Sequence, residues 1–276
     1  MTTGVSPSAV ADIECAVTFL FVPGTRDDRY VKAVASGADL VVIDLEDAVA
    51  PEDKSIARER VAGWLAGGGR AVVRVNGIGT PWFLDDLAVA RHATGMMLPK
   101  AESADDLDRV SALTAGGVPI IPLIETARGV LSAVDICGHP DVARIGFGNI
   151  DLAADLGVEP TARPAMAAAR SHLVYASRAV GRAAPVDGVT TSVADLDALV
   201  DDVTYARQLG FAAKLLIHPA QVAPTARAFR PTEAERAWAA GVLDAVRYGV
   251  GVHDGHMVDE PVLARARHIL RRGRQD

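Results

Sequence analysis

The sequence predicts an α/β protein built on a (β/α)8 barrel, or TIM barrel, followed by a C-terminal helical extension. Three observations support this fold class. Eight short apolar runs recur along the chain, segments with helical spacing lie between them, and the length of 276 residues is near that of one such barrel. Strands of a parallel sheet are buried on both faces and therefore form continuous runs of Val, Ile, Leu and Ala, as these do.

The predicted strands and helices alternate from the first run to the last. The strands are VTFLFV (17–22), LVVID (40–44), AVVRV (71–75), GMMLP (95–99), PIIPLI (119–124), VARIGF (142–147), PVDGV (185–189) and AAKLLI (212–217). The helices predicted between them include 51–66, 103–115, 126–137, 163–183 and 194–209. Helical patterns continue after the eighth strand at 220–229, 232–247 and 261–271.

These patterns divide the chain into three regions. Residues 1–16 are expected to be a flexible tail, 17–219 the barrel, and 220–276 a helical extension. Within the extension, the segment GVGVHDGHMVDEP (249–261) is predicted to be an irregular loop because of its Gly, His and Asp content. The extension exceeds what a barrel needs, so we expect it to dock on a neighbouring subunit.

A doubly wound sheet also alternates strands with helices and is the structural alternative. It would carry a glycine-rich dinucleotide loop, yet GFGNID (146–151) has Asp151 in place of the third glycine, and NGIGT (76–80) departs in the same way. The sequence also contains no phosphate-binding loop and no nucleophile elbow. These departures favour the barrel.

Composition restricts the partners that the protein can bind. The net charge of −7 leaves no broad basic face for a nucleic-acid backbone, so we expect no nucleic-acid partner. No stretch approaches the roughly 20 apolar residues of a membrane helix, so we expect no membrane partner. The residues at the start of the chain do not resemble a signal peptide, and Cys15 and Cys137 form no disulfide framework. A cytoplasmic protein is the expectation.

Polar residues follow the predicted strands, where a barrel carries its catalytic groups. They are Arg26, Asp44, Glu46, Asp47, Arg74, Asn76, Lys100, Glu125 and Asp151. Glu125 and Asp151 are one βα unit apart and would lie side by side on adjacent strands. Two such carboxylates suit a magnesium ion, although Glu125 could instead cap the following helix and Asp151 its own.

Arg74 emerges from an otherwise apolar strand and therefore needs an anionic partner. That partner is either a substrate carboxylate or an internal acid, Asp44 or Glu46. Asp44 and Glu46 share one side-chain parity in an extended chain and are expected to face the barrel mouth together, as candidate catalytic residues. Asp47 is expected to cap the following loop.

Basic residues follow the first strand. Arg26, Arg29 and Lys32 lie on the first βα-loop and at the start of its helix. They are suited to binding phosphates, or they form a solvated helix face.

Eight motifs in order resemble those of the citrate lyase β-subunit-like family of the HpcH/HpaI aldolase superfamily, over residues 17–271. The motifs are FVPGTRDDRYVKA, VVIDLEDAVAPEDK, VVRVNG, MMLPKAES, PLIETARGV, GNIDLAADLG, LLIHPAQV and GHMVDEPVLARA. The resemblance implies a barrel that assembles into homotrimers or hexamers. It also implies Mg2+ as cofactor and cleavage or formation of a carbon–carbon bond beside a CoA thioester.

The resemblance also assigns roles to single residues. Glu125 and Asp151 match the magnesium ligands, with Glu125 also beside the substrate, and Arg74 matches the arginine that holds the oxo-acid carboxylate. Asp259 matches a catalytic acid that a neighbouring subunit supplies, which gives the extension a part in the active site. Arg26 and Lys32 match basic positions near the CoA phosphates.

One departure from the family concerns the residues around Asp151. The family commonly has Gly-Ala-Glu-Asp where this chain has Gly148, Asn149, Ile150 and Asp151, so an acidic neighbour of the metal ligand is lost. The change bears on substrate identity more than on reaction type.

The sequence thus predicts a magnesium-dependent carbon–carbon lyase of the retro-Claisen or aldol type. Its substrate would be a 3-hydroxyacyl-CoA such as malyl-, citramalyl- or hydroxymethylglutaryl-CoA. The alternatives are a metal-dependent aldolase on free 2-oxo acids, a citrate lyase β subunit acting with partner chains, and a catalytically retired homologue that only binds a thioester. A Schiff-base aldolase using Lys100 is a further, less favoured possibility.

Overall fold

The structure is a computed structural model that describes residues 6–245 and 251–272. The chain forms two compact units, Met1–Thr225 and Ala226–Asp276. The boundary between them lies within a helix, a few residues beyond the predicted end of the barrel at 219. Every helix in the described ranges is too short or too polar to cross a membrane.

The first unit is a closed barrel of eight parallel strands in sequential order, which confirms the predicted fold class. The strands are Thr18–Pro23 (β1), Leu40–Asp44 (β2), Val72–Arg74 (β3), Gly95–Leu98 (β4), Ile120–Ile124 (β5), Gly146–Phe147 (β6), Val186–Asp187 (β7) and Ala213–Leu216 (β8). Pairing of Thr18 with Lys214 joins β1 to β8 and closes the barrel. Each strand overlaps its predicted apolar run.

The helices lie between and after the strands. They are Pro7–Cys15 (α1), Tyr30–Ala35 (α2), Lys54–Ala66 (α3), Phe83–Ala90 (α4), Ala104–Thr114 (α5), Ala127–Leu131 (α6), Ala133–Gly138 (α7), Asn149–Leu156 (α8), Arg163–Ala179 (α9), Leu196–Leu209 (α10), Val222–Phe229 (α11), Glu233–Ala245 (α12) and Glu260–Arg272 (α13). The predicted helix at 126–137 is divided at Ser132 into α6 and α7. A capping box of Ser103 and Asp106 starts α5.

The residues before β1 differ from the expected flexible tail, because 7–15 form the helix α1. Ile13 of α1 is fully buried in the same apolar cluster as Phe19 and Val42 of the barrel. Gly95 at the start of β4 leaves room for it, since a Cβ there would lie 2.7 Å from Ile13 Cδ1. Arg144 Nη1 donates to the Ala16 carbonyl oxygen at 2.6 Å. The helix α1 therefore covers the amino-terminal end of the barrel; residues 1–5 lie outside the described residues.

A buried group of charges, the interior cluster, is formed by residues of β7, β8 and α9. It consists of Asp187, Arg170 and Lys214. Asp187 accepts from Arg170 Nε at 2.9 Å and from Lys214 Nζ at 3.0 Å, and Lys214 Nζ also donates to the Gly188 carbonyl oxygen at 2.7 Å. Burial alone would raise the pKa of Asp187, but Lys214 and Arg170 outweigh it and hold that pKa below its ordinary value.

The second unit contains α12, a two-stranded hairpin and α13. The hairpin strands are Gly251–His253 (β9) and His256–Val258 (β10), so the prediction of an irregular loop over 249–261 is wrong for the described part; 249 and 250 lie outside it. Asp254 and Gly255 both have positive φ, 49° and 78°, as a tight two-residue hairpin turn requires. The unit has its own apolar cluster, to which Val242, Val258 and Ala266 belong.

Candidate active site

A cavity of about 430 Å³ opens at the carboxyl ends of the barrel strands. Its lining combines charged groups with apolar side chains from β1, β5, β6 and β8. The charged residues are Asp44, Asp47, Arg74, Glu125 and Asp151. The structure therefore brings together, in one cavity, most of the strand-end residues singled out in the sequence.

Arg74 is paired internally, which is the alternative to a substrate carboxylate that the sequence left open. Its Nε and Nη2 donate to the two oxygens of Asp44 at 2.7 and 2.6 Å. Its Nη1 lies 3.1 Å from Glu46 Oε2, and its guanidinium lies 4.8 Å from the centre of the Phe21 ring. Burial would lower the pKa of Arg74, but Asp44 and Glu46 outweigh burial and raise it, so the guanidinium stays charged. An arginine has five N–H groups, so donors remain for a ligand.

The segment after β2 is ordered by Asp44 rather than by Asp47. Asp44 Oδ1 accepts from the Glu46 amide at 2.9 Å and Oδ2 from the Ala48 amide at 3.0 Å. Asp47 is exposed instead, with its carboxylate 3.7 Å from Arg74 Nη1. The expected shared orientation of Asp44 and Glu46 is observed, since both contact Arg74.

Glu125 at the end of β5 is only 2% exposed. Its Oε1 accepts from the Lys100 backbone amide at 2.8 Å. A Cβ at Gly148 would lie 2.2 Å from Glu125 Oε2, so the carboxylate rests against a residue that has no side chain. Burial, reinforced by the negative charges of Asp151 and Glu46, raises the pKa of Glu125 to about 8. Such a carboxyl group is poised to exchange its proton for a cation.

Asp151 lies in the first turn of α8 and is about a third exposed, with Oδ1 3.8 Å from Lys100 Nζ. The sequence left open that Glu125 and Asp151 cap helices instead of binding a metal, and neither carboxylate caps a helix. The Thr126 hydroxyl caps α6 by accepting from the Gly129 amide, and α8 begins after Gly148 without a side-chain cap. Both carboxylates therefore remain available to the cavity.

Lys100 connects the acids on either side of it. Its Nζ lies 3.3 Å from Glu46 Oε1 and 3.8 Å from Asp151 Oδ1. Its backbone has a φ of 51°, a left-handed conformation that is unusual for a lysine and that accompanies the hydrogen bond of its amide to Glu125. The mouth cluster is defined here as Asp44, Glu46, Arg74, Lys100, Glu125 and Asp151.

A supporting network beneath Glu46 was not predicted from the sequence. Lys54 Nζ donates to the carbonyl oxygens of Leu45 and Glu46 and to Asn76 Oδ1, at 2.7 to 2.8 Å. Asn76 in turn donates to Asp86 at 2.6 Å. The signal that could have found it is Asn76 at the end of β3, because a buried amide at a strand end needs partners.

The charge balance of the site favours a divalent cation. The mouth cluster and Asp47 hold five carboxylates and two cations, an excess of three negative charges when all groups are ionised. No group of three His, Cys, Asp or Glu side chains within the described residues is arranged to hold a metal. A cation at Glu125 and Asp151 would thus complete its shell with water and ligand oxygens, as magnesium typically does.

A second cavity, of about 400 Å³, adjoins the first. Its lining includes the basic residues Arg26, Arg29 and Lys32. Arg26 forms a salt bridge to Asp28 at 2.8 Å, and both side chains are exposed to solvent. The two cavities share Phe21, Pro23 and Ile217 in their linings.

Asp259 belongs to the second unit. It is exposed in the single chain and precedes α13, where its Oδ1 accepts from the Val262 amide at 3.2 Å. The role that the resemblance assigns to it remains a prediction.

A barrel whose mouth combines paired acids, a buried arginine and an adjoining basic cavity is one of the class that binds small carboxylates and phosphorylated ligands. A family model described as HpcH/HpaI aldolase/citrate lyase matches residues 17–219. The chain belongs to this family.

Relatives and solved structures agree with this assignment. A citrate lyase subunit beta-like protein of Deinococcus radiodurans is 38% identical over 91% of this chain and 95% of its own length. A (3S)-malyl-CoA thioesterase of Cereibacter sphaeroides is 36% identical over 91% of this chain and 92% of its own. The crystal structure of Mycobacterium tuberculosis CitE in complex with magnesium, acetoacetate and coenzyme A superposes with a TM-score of 0.84 at 34% identity, covering 94% and 99% of the two chains.

Proposed function

We propose that this protein is a magnesium-dependent carbon–carbon lyase that cleaves or forms a 3-hydroxyacyl-CoA thioester. The observation that carries the proposal is the pair of adjoining cavities. One is rich in carboxylates and holds Arg74, and the other is basic. The apolar residues Phe21, Pro23 and Ile217 line both cavities, and this arrangement suits a ligand with a phosphorylated end, an apolar stem and a small acidic head.

The residues present fit a magnesium ion. Glu125 and Asp151 would supply the hard oxygen ligands that it prefers, and a bound cation would offset the burial and the neighbouring negative charges that raise the pKa of Glu125 to about 8. A solved relative holds magnesium together with an oxo acid and coenzyme A. When bound, the ion would polarise the oxygens of the substrate's oxo-acid half as a Lewis acid.

The protein residues have complementary roles. Asp44 fixes the Arg74 side chain through two hydrogen bonds, so its remaining N–H groups are oriented toward the substrate carboxylate. In cleavage the substrate hydroxyl would give its proton to a carboxylate of the mouth cluster and become a carbonyl, and the electron pair of the broken carbon–carbon bond would pass to the thioester as an enolate. Glu46 contacts Nη1 of Arg74, and Lys100 contacts both Glu46 and Asp151. These contacts hold Arg74 and Asp151 in place.

Arg26 and Lys32 would bind the CoA phosphates in the second cavity. A calorimetric titration with CoA tests this assignment. Saturable binding that weakens in Lys32→Ala supports it, whereas a metal-dependent aldolase on free 2-oxo acids should show no saturable CoA binding.

Asp259 would give a proton to the enolate carbon, across an interface between subunits of a homotrimer or hexamer. The support is the family resemblance of GHMVDEP. Asp259→Asn should abolish turnover and leave binding of magnesium and an oxo acid intact. An Asp259→Asn protein with undiminished turnover would remove this acid from the mechanism. Sedimentation measures the oligomeric state, and monomers should be inactive.

The activity itself is tested by incubating the protein with malyl-, citramalyl- and hydroxymethylglutaryl-CoA in the presence of magnesium. A lyase releases glyoxylate, pyruvate or acetoacetate together with a shorter acyl-CoA, and a chelator stops the release. The absence of oxo acid from all three esters would overturn the proposal.

Thioester hydrolysis is a second candidate, favoured by the 36% identity to a (3S)-malyl-CoA thioesterase. Hydrolysis releases the free CoA thiol and the intact hydroxy acid, with no oxo acid. Thiol detection in the same incubation therefore separates the two reactions.

We further propose a cytoplasmic location, to which the two free thiols, exposed Cys15 and buried Cys137, are suited.

A further inference from the structure

The Asp44–Arg74 pair and two apolar residues of the main cavity lie on opposite arcs of the barrel. Asp44 and Arg74 end β2 and β3, whereas Val189 follows β7 and Leu215 lies on β8. In an eight-stranded barrel of sequential order, β7 stands across from β3. A ligand whose carboxylate contacts Arg74 therefore extends its other end toward an apolar arc.

Ile150 extends this apolar arc beside the metal-ligand candidate Asp151. It is half-buried in the first turn of α8 and lines the cavity together with Phe147, which is fully buried. The cavity wall beside Asp151 is therefore a branched hydrocarbon side chain.

The charged groups of the cavity leave no partner for a second carboxylate on the ligand. Among the residues that the structure describes, Arg74 is the one cation in the lining, and four carboxylates accompany it. The Lys100 ammonium is outside this lining and is already paired with Glu46 and Asp151. A carboxylate placed against Ile150 and Val189 would be desolvated without a counter-charge.

We propose that Ile150 and Val189 select 2-oxo acids with an uncharged, apolar tail and reject those with a second carboxylate. The inference rests on the proposed function, because it names the oxo-acid half of that reaction. An apolar tail gains from burial against the arc, and a charged tail loses its hydration there. Specificity of this kind arises as much from the rejected ligand as from the accepted one.

Pairs of oxo acids that differ only in the second carboxylate test the proposal. Calorimetric titrations with magnesium present would compare 2-oxobutanoate with freshly dissolved oxaloacetate, and 2-oxopentanoate with 2-oxoglutarate. We expect the monocarboxylate of each pair to bind at least about tenfold more tightly, since an unpaired buried charge is costly. Equal or tighter binding of the dicarboxylates would overturn the inference.

Two variants at position 150 sharpen the test. Ile150→Lys places an ammonium on the arc and should reverse or erase the preference by strengthening dicarboxylate binding. Ile150→Val keeps the wall apolar and should keep the preference. If Ile150→Lys loses all oxo-acid binding, the wild-type ratio and the Ile150→Val ratio still decide the matter. If Ile150→Val loses the preference, the wall is not its origin.

Failure of the inference is distinguishable from failure of the proposed function. A wild-type protein that binds magnesium but neither member of any pair, nor pyruvate, contradicts the proposed function. One that binds both members of each pair equally retains the proposed function and contradicts only the role of the apolar arc.

Discussion

The interior cluster, which is buried, and the mouth cluster, which is partly exposed, are groups of charges in the same barrel, yet their charge balance is opposite. In the interior cluster two cations surround one acid, and the charges of Lys214 and Arg170 outweigh burial and hold the pKa of Asp187 below its ordinary value. In the mouth cluster acids outnumber cations, and burial raises the pKa of both Glu125 and Glu46. The first arrangement is complete by itself, whereas the second is stabilised by an added cation. Incomplete electrostatics of this kind is typical of a functional site.

The sharpest way to break this contrast is Glu125→Gln. The amide keeps the volume of the side chain and the acceptor for the Lys100 amide but removes a proposed metal ligand. We expect turnover to fall about a thousandfold or more, since a Lewis acid contributes several kcal/mol. The melting temperature of the metal-free protein should not fall, because Glu125 is already protonated below about pH 8. A large loss of thermal stability would instead make Glu125 a structural residue like Asp187.

The matching change in the interior cluster is Asp187→Asn. It leaves Arg170 and Lys214 buried without their counter-charge. Breaking a buried ion pair costs roughly 3–5 kcal/mol, which lowers the melting temperature of a barrel of this size by about 10 °C. Thermal unfolding monitored by circular dichroism measures the loss. A melting temperature within 2 °C or so of the wild type would contradict the distinction between the clusters.

Magnesium affinity should depend on pH because Glu125 must ionise to bind the ion. Its pKa of about 8 means that binding below that value displaces a proton, so the association constant should rise about tenfold per pH unit up to pH 8 and then level. Stability of the metal-free fold should change the other way. The folded-state pKa of about 8 lies above the ordinary value of 4.5, so Glu125 loses its proton at a lower pH in the unfolded chain than in the folded one. The free energy of unfolding of the metal-free protein should therefore fall as the pH rises from 4.5 to about 8.

Calorimetry across pH 6 to 9 measures the affinity, and proton release can be followed in buffers of different ionisation enthalpy. Glu125→Gln should lose this pH dependence. If the magnesium affinity of the wild type stayed constant from pH 6 to 9, Glu125 would already be ionised at pH 6, and burial would not raise its pKa.

The smallest effect is expected for Lys100→Gln. Lys100 is half exposed and lies 3.8 Å from Asp151, so its charge competes weakly with a bound cation. Magnesium affinity should increase a few-fold and turnover should change by less than about tenfold. Loss of all turnover, together with borohydride trapping of a 2-oxo acid on the wild type, would identify Lys100 as a Schiff-base nucleophile.

Much of the barrel could be predicted because its strands are buried on both faces and therefore appear as uninterrupted apolar runs. The short helix α4 was not predicted, and helices were expected at α2 and α8 without bounds, since helices of six to eight residues have too few turns to show a periodic pattern. The hairpin at β9 and β10 was missed although Asp254–Gly255 is a strong turn signal, because the apolar residues around it are few.

At the site, strand parity predicted that the side chains of Asp44 and Glu46 face the barrel mouth together. The sequence spacing of Glu125 and Asp151 predicted that they lie side by side, and both line one cavity. The position of the Lys100 ammonium between Glu46 and Asp151 could not be predicted, because it depends on side-chain conformations across three strands. The same holds for Lys54, whose buried amine was indistinguishable in sequence from that of the exposed Lys32 on α2. Long-range hydrogen bonds leave no periodic signature.

The covering of the barrel floor by α1 has a practical consequence for anyone who shortens the chain. The family match begins at residue 17, so a truncation there looks natural, but it would delete Ile13 and Ala16. Arg144 would then lose the backbone oxygens that accept hydrogen bonds from its Nη1. Water would reach the apolar residues around Gly95 at the amino-terminal end of the barrel. Expression of 17–219 should therefore give an aggregating product, and the nine residues of the first helix belong in any fragment meant to fold.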